Sequence, residues 1–159
     1  MTATGPVNPF MARAIALSLA NVDAGGGPFA AVVVKDGAIV GEGTNLVTVN
    51  NDPTAHAEVV AIRAACALLG TFQLTGCEVY TSCEPCPMCL GAIYWARPER
   101  VYYGNTAADA AAVGFDDAHV YIQLALPHEK RSIPMLQLMR EEAQQAFRAW
   151  SAKTDKVTY

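Results

Sequence analysis

Two short stretches decide the reading of this chain: His56-Ala57-Glu58 and Pro85-Cys86-Pro87-Met88-Cys89. Together they supply one imidazole, two thiols and one carboxyl. A catalytic zinc site needs that set: three protein ligands, an open position for water, and a base beside it. At the start of a helix, the Cys86–Cys89 spacing puts both sulfurs on one face. Helix N-terminal amides also favour the thiolate, which is the form that binds metal. Pro85 and Pro87 suit such a start, because the first residues of a helix have no intrahelical use for their N–H. His56 and Glu58 set a harder problem. In a helix interior two residues so spaced diverge by about 200°. At a helix start, side chains tilt toward the N-terminus, and both can converge on an ion beyond the end.

The expected arrangement is therefore two helix N-termini facing each other across one Zn²⁺ per subunit. His56, Cys86 and Cys89 are the expected ligands, and Glu58 the proton carrier. The competing reading is a structural zinc, with Cys83 or Cys77 as a fourth ligand. Glu58 two residues after His56, and Pro85 before Cys86, speak against it. Cys66, Cys77 and Cys83 read as small buried residues.

Composition narrows the classes. A chain of 159 residues suits one domain with a sizeable core. It is 52% hydrophobic and 16% charged, which excludes long disorder and leaves apolar surface for a subunit interface. No apolar run approaches the ~20 residues that span a bilayer, and residues 1–9 lack the basic and apolar blocks of a secretory leader. A cytoplasmic protein is expected. The net charge of −4, without a run of three basic residues, argues against a large nucleic-acid partner. An odd count of five cysteines, three of them clustered, does not form a disulfide framework.

Outward from the two motifs, element signals alternate. Asn8 and Pro9 are an N-cap and N1 pair opening a helix over residues 9–23, which Gly25-Gly26-Gly27-Pro28 ends. Residues 29–34 and 38–44 read as strands joined by the tight turn Asp36-Gly37. Residues 45–52 read as a loop. Asp52 and Pro53 read as cap and first residue of a helix running to Leu69, closed by Gly70. Strands follow over 77–81 and 100–104, with a helix from Pro85 or Pro87 to about Ala96 between them. Helices are expected over 106–113, 118–126 and 141–153. Residues 133–138 fit a fifth strand, which Pro134 places at a sheet edge. This order predicts a layered α/β fold, a hairpin first and crossovers later.

The two motifs, with Gly27-Pro28-Phe29, Asn45, Asp52-Pro53-Thr54 and Gly91-Ala92, resemble the cytidine-deaminase-like superfamily over nearly the whole chain. That resemblance implies a three-layer α/β/α fold with a mixed five-stranded sheet. Two branches share the motifs: small bacterial guanine deaminases and tRNA-specific adenosine deaminases. Tyr80 through Cys86, Ala92 through Arg97, Gly114-Phe115-Asp116-Asp117 and the terminal Tyr159 resemble the guanine branch. Ala30 stands where close relatives carry glycine.

The guanine branch implies hydrolysis of guanine to xanthine and ammonia. Alternatives are adenosine deamination in tRNA, or deamination of another small base or nucleoside such as cytosine. It implies Asp117, with Asp116 as the alternative, for the N–H-rich edge of the purine and for proton relay. Asn45 offers an amide to the ring, Phe29 a stacking face, Ala57 a backbone N–H, and Trp95 a wall of the pocket or of an interface. The branch further implies a homodimer whose C-terminal segment, about residues 140–159, is exchanged so that Tyr159 closes the partner's pocket.

Overall fold

The computed structural model describes residues 6–159, so the absence of a leader over residues 1–9 is a reading that falls partly outside the described residues. The chain divides into two compact units, ending and beginning at Asp117 and Ala118.

The first unit is a four-stranded sheet between helices. Helix α1 (Pro9–Asp23) starts as its cap signal predicts: Asn8 Oδ1 accepts from the N–H groups of Phe10 and Met11 at 3.0 and 2.9 Å. Strands β1 (Gly27–Lys35) and β2 (Ala38–Asn45) form the hairpin. Its turn residues Asp36 and Gly37 both take positive φ, 49° and 78°, which matches the right-handed twist of the strands. A single turn of helix, α2 (Val47–Asn50), interrupts the expected loop. Then come α3 (Ala57–Leu69), β3 (Cys77–Cys83), α4 (Pro87–Ala96), β4 (Arg100–Asn105) and α5 (Ala107–Ala112). The strand order is β2-β1-β3-β4, with β1 antiparallel to both neighbours and β3 parallel to β4.

Alternate residues of β1 point to opposite faces. Val32 and Val34 pack with Tyr80 under Phe10, Met11 and Leu17 of α1. Ala31 and Val33 pack with Val79 under Ala57, Ala61 and Ala65 of α3 and Ala96 of α4. Helices thus cover both faces, in three layers.

The α3 face is built for close approach. A Cβ on Gly41 would stand 2.6 Å from the Ala61 carbonyl oxygen, and one on Gly43 would strike the backbone of Ala57 and Ala61. This glycine–alanine seam lets α3 lie directly on β2 and fixes the depth of its N-terminus.

Two expectations are corrected. Asp52 does not cap α3. Its Oδ1 accepts from the Thr54 N–H at 2.8 Å and the Thr54 hydroxyl at 2.7 Å, closing a local turn, and the helix begins at Ala57. The sheet has four strands, not five. Residues 133–138 pair with no strand among the described residues. Pro134 has no N–H to give a ladder, and Ile133, Leu136 and Leu138 are all more than three-quarters exposed.

The second unit holds α6 (Ala118–Ala125), a 3₁₀ turn (His128–Lys130) and the amphipathic α7 (Arg140–Ala152). Within it, Arg131 Nε donates to the Leu126 carbonyl at 3.0 Å, and the Ser132 N–H donates to Gln123 Oε1 at 2.7 Å, folding the connection back on α6.

Candidate metal centre

The shifted start of α3 removes the angular problem posed by His56 and Glu58. His56 is the N-cap, with extended φ −67° and ψ 153°, and Glu58 lies in the first turn. They do not share a regular helical arc, so both side chains converge. Cys86 is likewise the N-cap of α4, with Pro87 at N1, and its Sγ accepts from the Cys89 N–H at 3.5 Å. The two helix starts meet.

His56 Nδ1 lies 3.5 Å from Cys86 Sγ and 3.5 Å from Cys89 Sγ. Zinc held tetrahedrally, with Zn–N and Zn–S bonds of about 2.0 and 2.3 Å, needs N···S separations of about 3.5 Å. The donor set therefore fits a zinc ion. Among the described residues these are the three that gather as possible metal ligands. Cys83 is not a fourth: its thiol points at the Thr106 carbonyl at 3.7 Å, and burial pushes its pKa up to about 11. Cys77 starts β3, about 20 Å of strand away from the metal loop. Three ligands leave one position open, as a catalytic site requires.

The electrostatics agree. The Cys86 thiol is held down to about 4, first by the hydrogen bond from the Cys89 thiol, then by His56 and the Cys89 N–H, against the cost of burial. Cys89 is pushed up by its bond to that thiolate and by burial. A divalent cation between the two sulfurs removes the need to share a proton. His56 is raised by the same thiolate.

Glu58 is buried, 7% exposed, beside this cluster. Burial pushes its carboxyl above the usual carboxylate range. The Thr81 hydroxyl, 3.2 Å from Glu58 Oε1 and 3.0 Å from the Cys83 carbonyl, holds it from behind. Glu84 ties the metal loop to the next layer. Its N–H donates to the Asn105 carbonyl at 2.8 Å, and its Oε2 accepts from the Ala107 N–H at 2.9 Å. Sequence reasoning missed Thr81 and Glu84. The signal was Thr81-Ser82, two buried hydroxyls ending a strand just before the cysteine motif.

Around the cluster, Asn45 ends β2 and is buried, and Ala57 is the first residue of α3, so its N–H has no intrahelical acceptor. Phe29 is half-buried, and Phe115 meets it edge-to-face at 4.9 Å and 87°. Asp117 is half-buried and close enough to Cys86 to feel its charge. Its carboxyl is raised, chiefly by burial, whereas Asp116 is exposed. Trp95 is not brought to the cluster. It is 64% exposed, and six residues past Cys89 it points about 120° away from it around α4. Tyr159 belongs to the second unit, at the end of the stretch that follows α7.

This fold and donor set define a zinc deaminase domain: the chain belongs to the cytidine and deoxycytidylate deaminase zinc-binding family, whose model matches residues 7–105. Within that family it is similar to the guanine deaminase of Bacillus subtilis (strain 168), 56% identical over 151 residues, which are 94% of this chain and 97% of that protein. The X-ray structure of guanine deaminase from Bacillus subtilis superposes with a TM-score of 0.93 at 54% identity, covering 96% of this chain and 99% of that one. A tRNA-specific adenosine deaminase of Agrobacterium fabrum is 44% identical over 86 residues, 54% of this chain and 57% of that protein.

Proposed function

We propose that this chain is a zinc-dependent guanine deaminase, hydrolysing guanine to xanthine and ammonia. The observation that carries the proposal is the three-ligand cluster with Glu58 buried beside it, in a chain that matches guanine deaminase over both of its units. His56, Cys86 and Cys89 would hold one zinc per subunit. When bound, the ion supplies a Lewis-acidic position that acidifies water. Glu58 then moves protons. Its carboxylate takes one proton from the attacking water as the C2–O bond forms and gives it to ring N3. It then takes the second from the new C2 hydroxyl and gives it to the amine, which leaves as ammonia as the C2–N bond breaks. Asp117 accepts from N1–H and the 2-amino group, and exchanges a proton with the ring. Asn45 and the Ala57 N–H donate to the opposite edge, and Phe29, steadied by Phe115, flanks the base.

We place the protein in a reducing cytoplasm, because all five cysteines are free and two of them must act as thiolates. A homodimer exchanging its C-terminal segment, with Tyr159 closing the partner's pocket, is supported by apolar surface in need of cover. Tyr94 and Trp95 of α4 are 76% and 64% exposed, and Phe147 of α7 is 68% exposed. No helix among the described residues is long and apolar enough to cross a membrane.

The test uses zinc-loaded protein and measures ammonia release from guanine, from adenosine in a tRNA anticodon stem-loop, and from cytosine. Turnover of guanine is expected. A Glu58→Gln protein should keep its zinc and lose turnover by about 10³-fold or more. Turnover of the stem-loop without turnover of guanine rejects the proposal. So does full activity in Glu58→Gln.

A further inference from the structure

Asn21 is a buried side chain that the chemistry above does not use. It sits in the last turn of α1 and is 6% exposed. Its Nδ2 carries two hydrogens and spends both on backbone carbonyls, Gly27 O at 2.8 Å and Asn45 O at 2.9 Å. One accepting residue opens β1 and the other closes β2. They face each other where the ladder fails: the register runs Gly27↔Asn45 and then Ala30↔Thr44, so Pro28 and Phe29 bulge out of the pairing. A bulge leaves strand groups without ladder partners and re-aims neighbouring side chains. Here the missing restraint comes from α1.

The surroundings are shaped around this amide. A Cβ on Gly26 would strike Asn21 Nδ2, with the Asn21 Cγ at 2.8 Å and the Asn45 carbonyl oxygen at 2.7 Å. A Cβ on Gly27 would press on the Asn45 carboxamide at 3.1 Å. Asn45 Oδ1 accepts from the Val47 N–H at 3.2 Å, so the amino end of that carboxamide is turned away from its own backbone. Asn45 is thus gripped at its carbonyl by Asn21, at its Oδ1 by Val47, and along its flank by Gly27.

We propose that Asn21 is a positioning residue for substrate binding: it aims the Asn45 carboxamide at the base by clamping the open end of the β1–β2 ladder, without touching substrate. The inference rests on the reading that Asn45 meets the base.

The test measures steady-state guanine turnover on zinc-loaded Asn21→Ala, Asn45→Ala, the double variant, Gly26→Ala and Ser18→Ala. Asn45→Ala should raise KM about tenfold or more. If it leaves KM unchanged, the reading of Asn45 fails and this proposal fails with it. Given that rise, Asn21→Ala should raise KM by about five- to tenfold, with kcat within about threefold of the parent and zinc content unchanged. The double variant should be no worse than Asn45→Ala, because the two residues act through one contact. A KM unmoved in Asn21→Ala, or full additivity in the double variant, overturns the proposal while leaving Asn45 in place.

Ser18→Ala separates positioning from loosened packing. Its hydroxyl donates within α1, to the Ile15 carbonyl at 2.7 Å, so the change should lower the melting temperature without moving KM. A matching KM rise there would also overturn the proposal. Should Asn21→Ala fail to fold, Gly26→Ala replaces it, since its methyl displaces the Asn21 amide and presses on the Asn45 carbonyl which that amide holds, and should give at least the same rise in KM. An unchanged KM in Gly26→Ala decides against the clamp.

Discussion

The metal pole and the proposed base-binding rim of this site are built by opposite means. The pole is made of helix starts. His56 and Cys86 are N-caps of α3 and α4, Glu58 and Cys89 follow in the first turns, and the glycine–alanine seam sets the depth of α3. Glu58 and Cys89 are buried. The rim is made of strand ends and a connection: Asn45 at the end of β2, Phe29 in a bulge of β1, and Phe115 and Asp117 after α5. Its members are held by a few side-chain contacts, such as the Phe29–Phe115 edge or the Asn21 clamp. The pole can therefore be rigid for an ion that tolerates little error in distance. The rim is the part that can differ between substrates without disturbing the metal.

That division makes its strongest prediction at the pole. Cys86→Ala removes one of the three proposed ligands and the cap of α4 together. Bound zinc, measured by elemental analysis, should fall below about a tenth of an ion per chain, and turnover by about 10³-fold or more. Chelation of the parent protein should do the same, and added zinc should restore it. Full zinc occupancy in Cys86→Ala would mean that the cluster is not where the metal binds.

The same division explains what was legible in the sequence. The pole was, because each donor is a short local motif whose chemistry stands in the residue names. The hairpin was legible too, through Asp36-Gly37, and α1 through Asn8-Pro9. The start of α3 was not. Asp52 before Pro53 is a cap signal and equally an Asx-turn signal, and the bonds to Thr54 decide for the turn. The fifth strand was misread because a short apolar run says nothing about whether a partner strand is present to receive it. Between the two places offered for Trp95, a pocket wall or an interface, the sequence alone could not choose, because the choice depends on the angle around α4. Asn21 carried no mark at all: in sequence it is a poor helix former near a helix end, and its two acceptors, Gly27 and Asn45, lie six and twenty-four residues away.

The second prediction bears on the rim. Asp117→Asn should lower kcat/KM for guanine about 100-fold, since a carboxylate that accepts two N–H donors becomes an amide that repels one of them. Zinc content should stay at the parent level. Asp116→Asn, exposed and next door, should stay within about threefold. The reverse result would exchange the two assignments. Loss of zinc in Asp117→Asn would break the separation between rim and pole.

The smallest expected effect sits where the two halves touch. Thr81 belongs to β3 and is outside the His56–Cys86–Cys89 cluster, yet its hydroxyl lies 3.2 Å from Glu58 Oε1 as well as 3.0 Å from the Cys83 carbonyl. Valine has nearly the same shape and no donor. Thr81→Val therefore leaves the buried carboxylate one partner short while keeping the packing of Val79 and Ala31 around it. A lost hydrogen bond of about 1 kcal/mol corresponds to about a fivefold change. That change should fall on kcat, with KM and zinc content at parent values, because the group that loses its support is proposed to move protons and not to bind the base. A rise in KM with kcat intact would assign Thr81 to the rim, and the boundary between the two halves would then lie within β3, on the near side of Glu58.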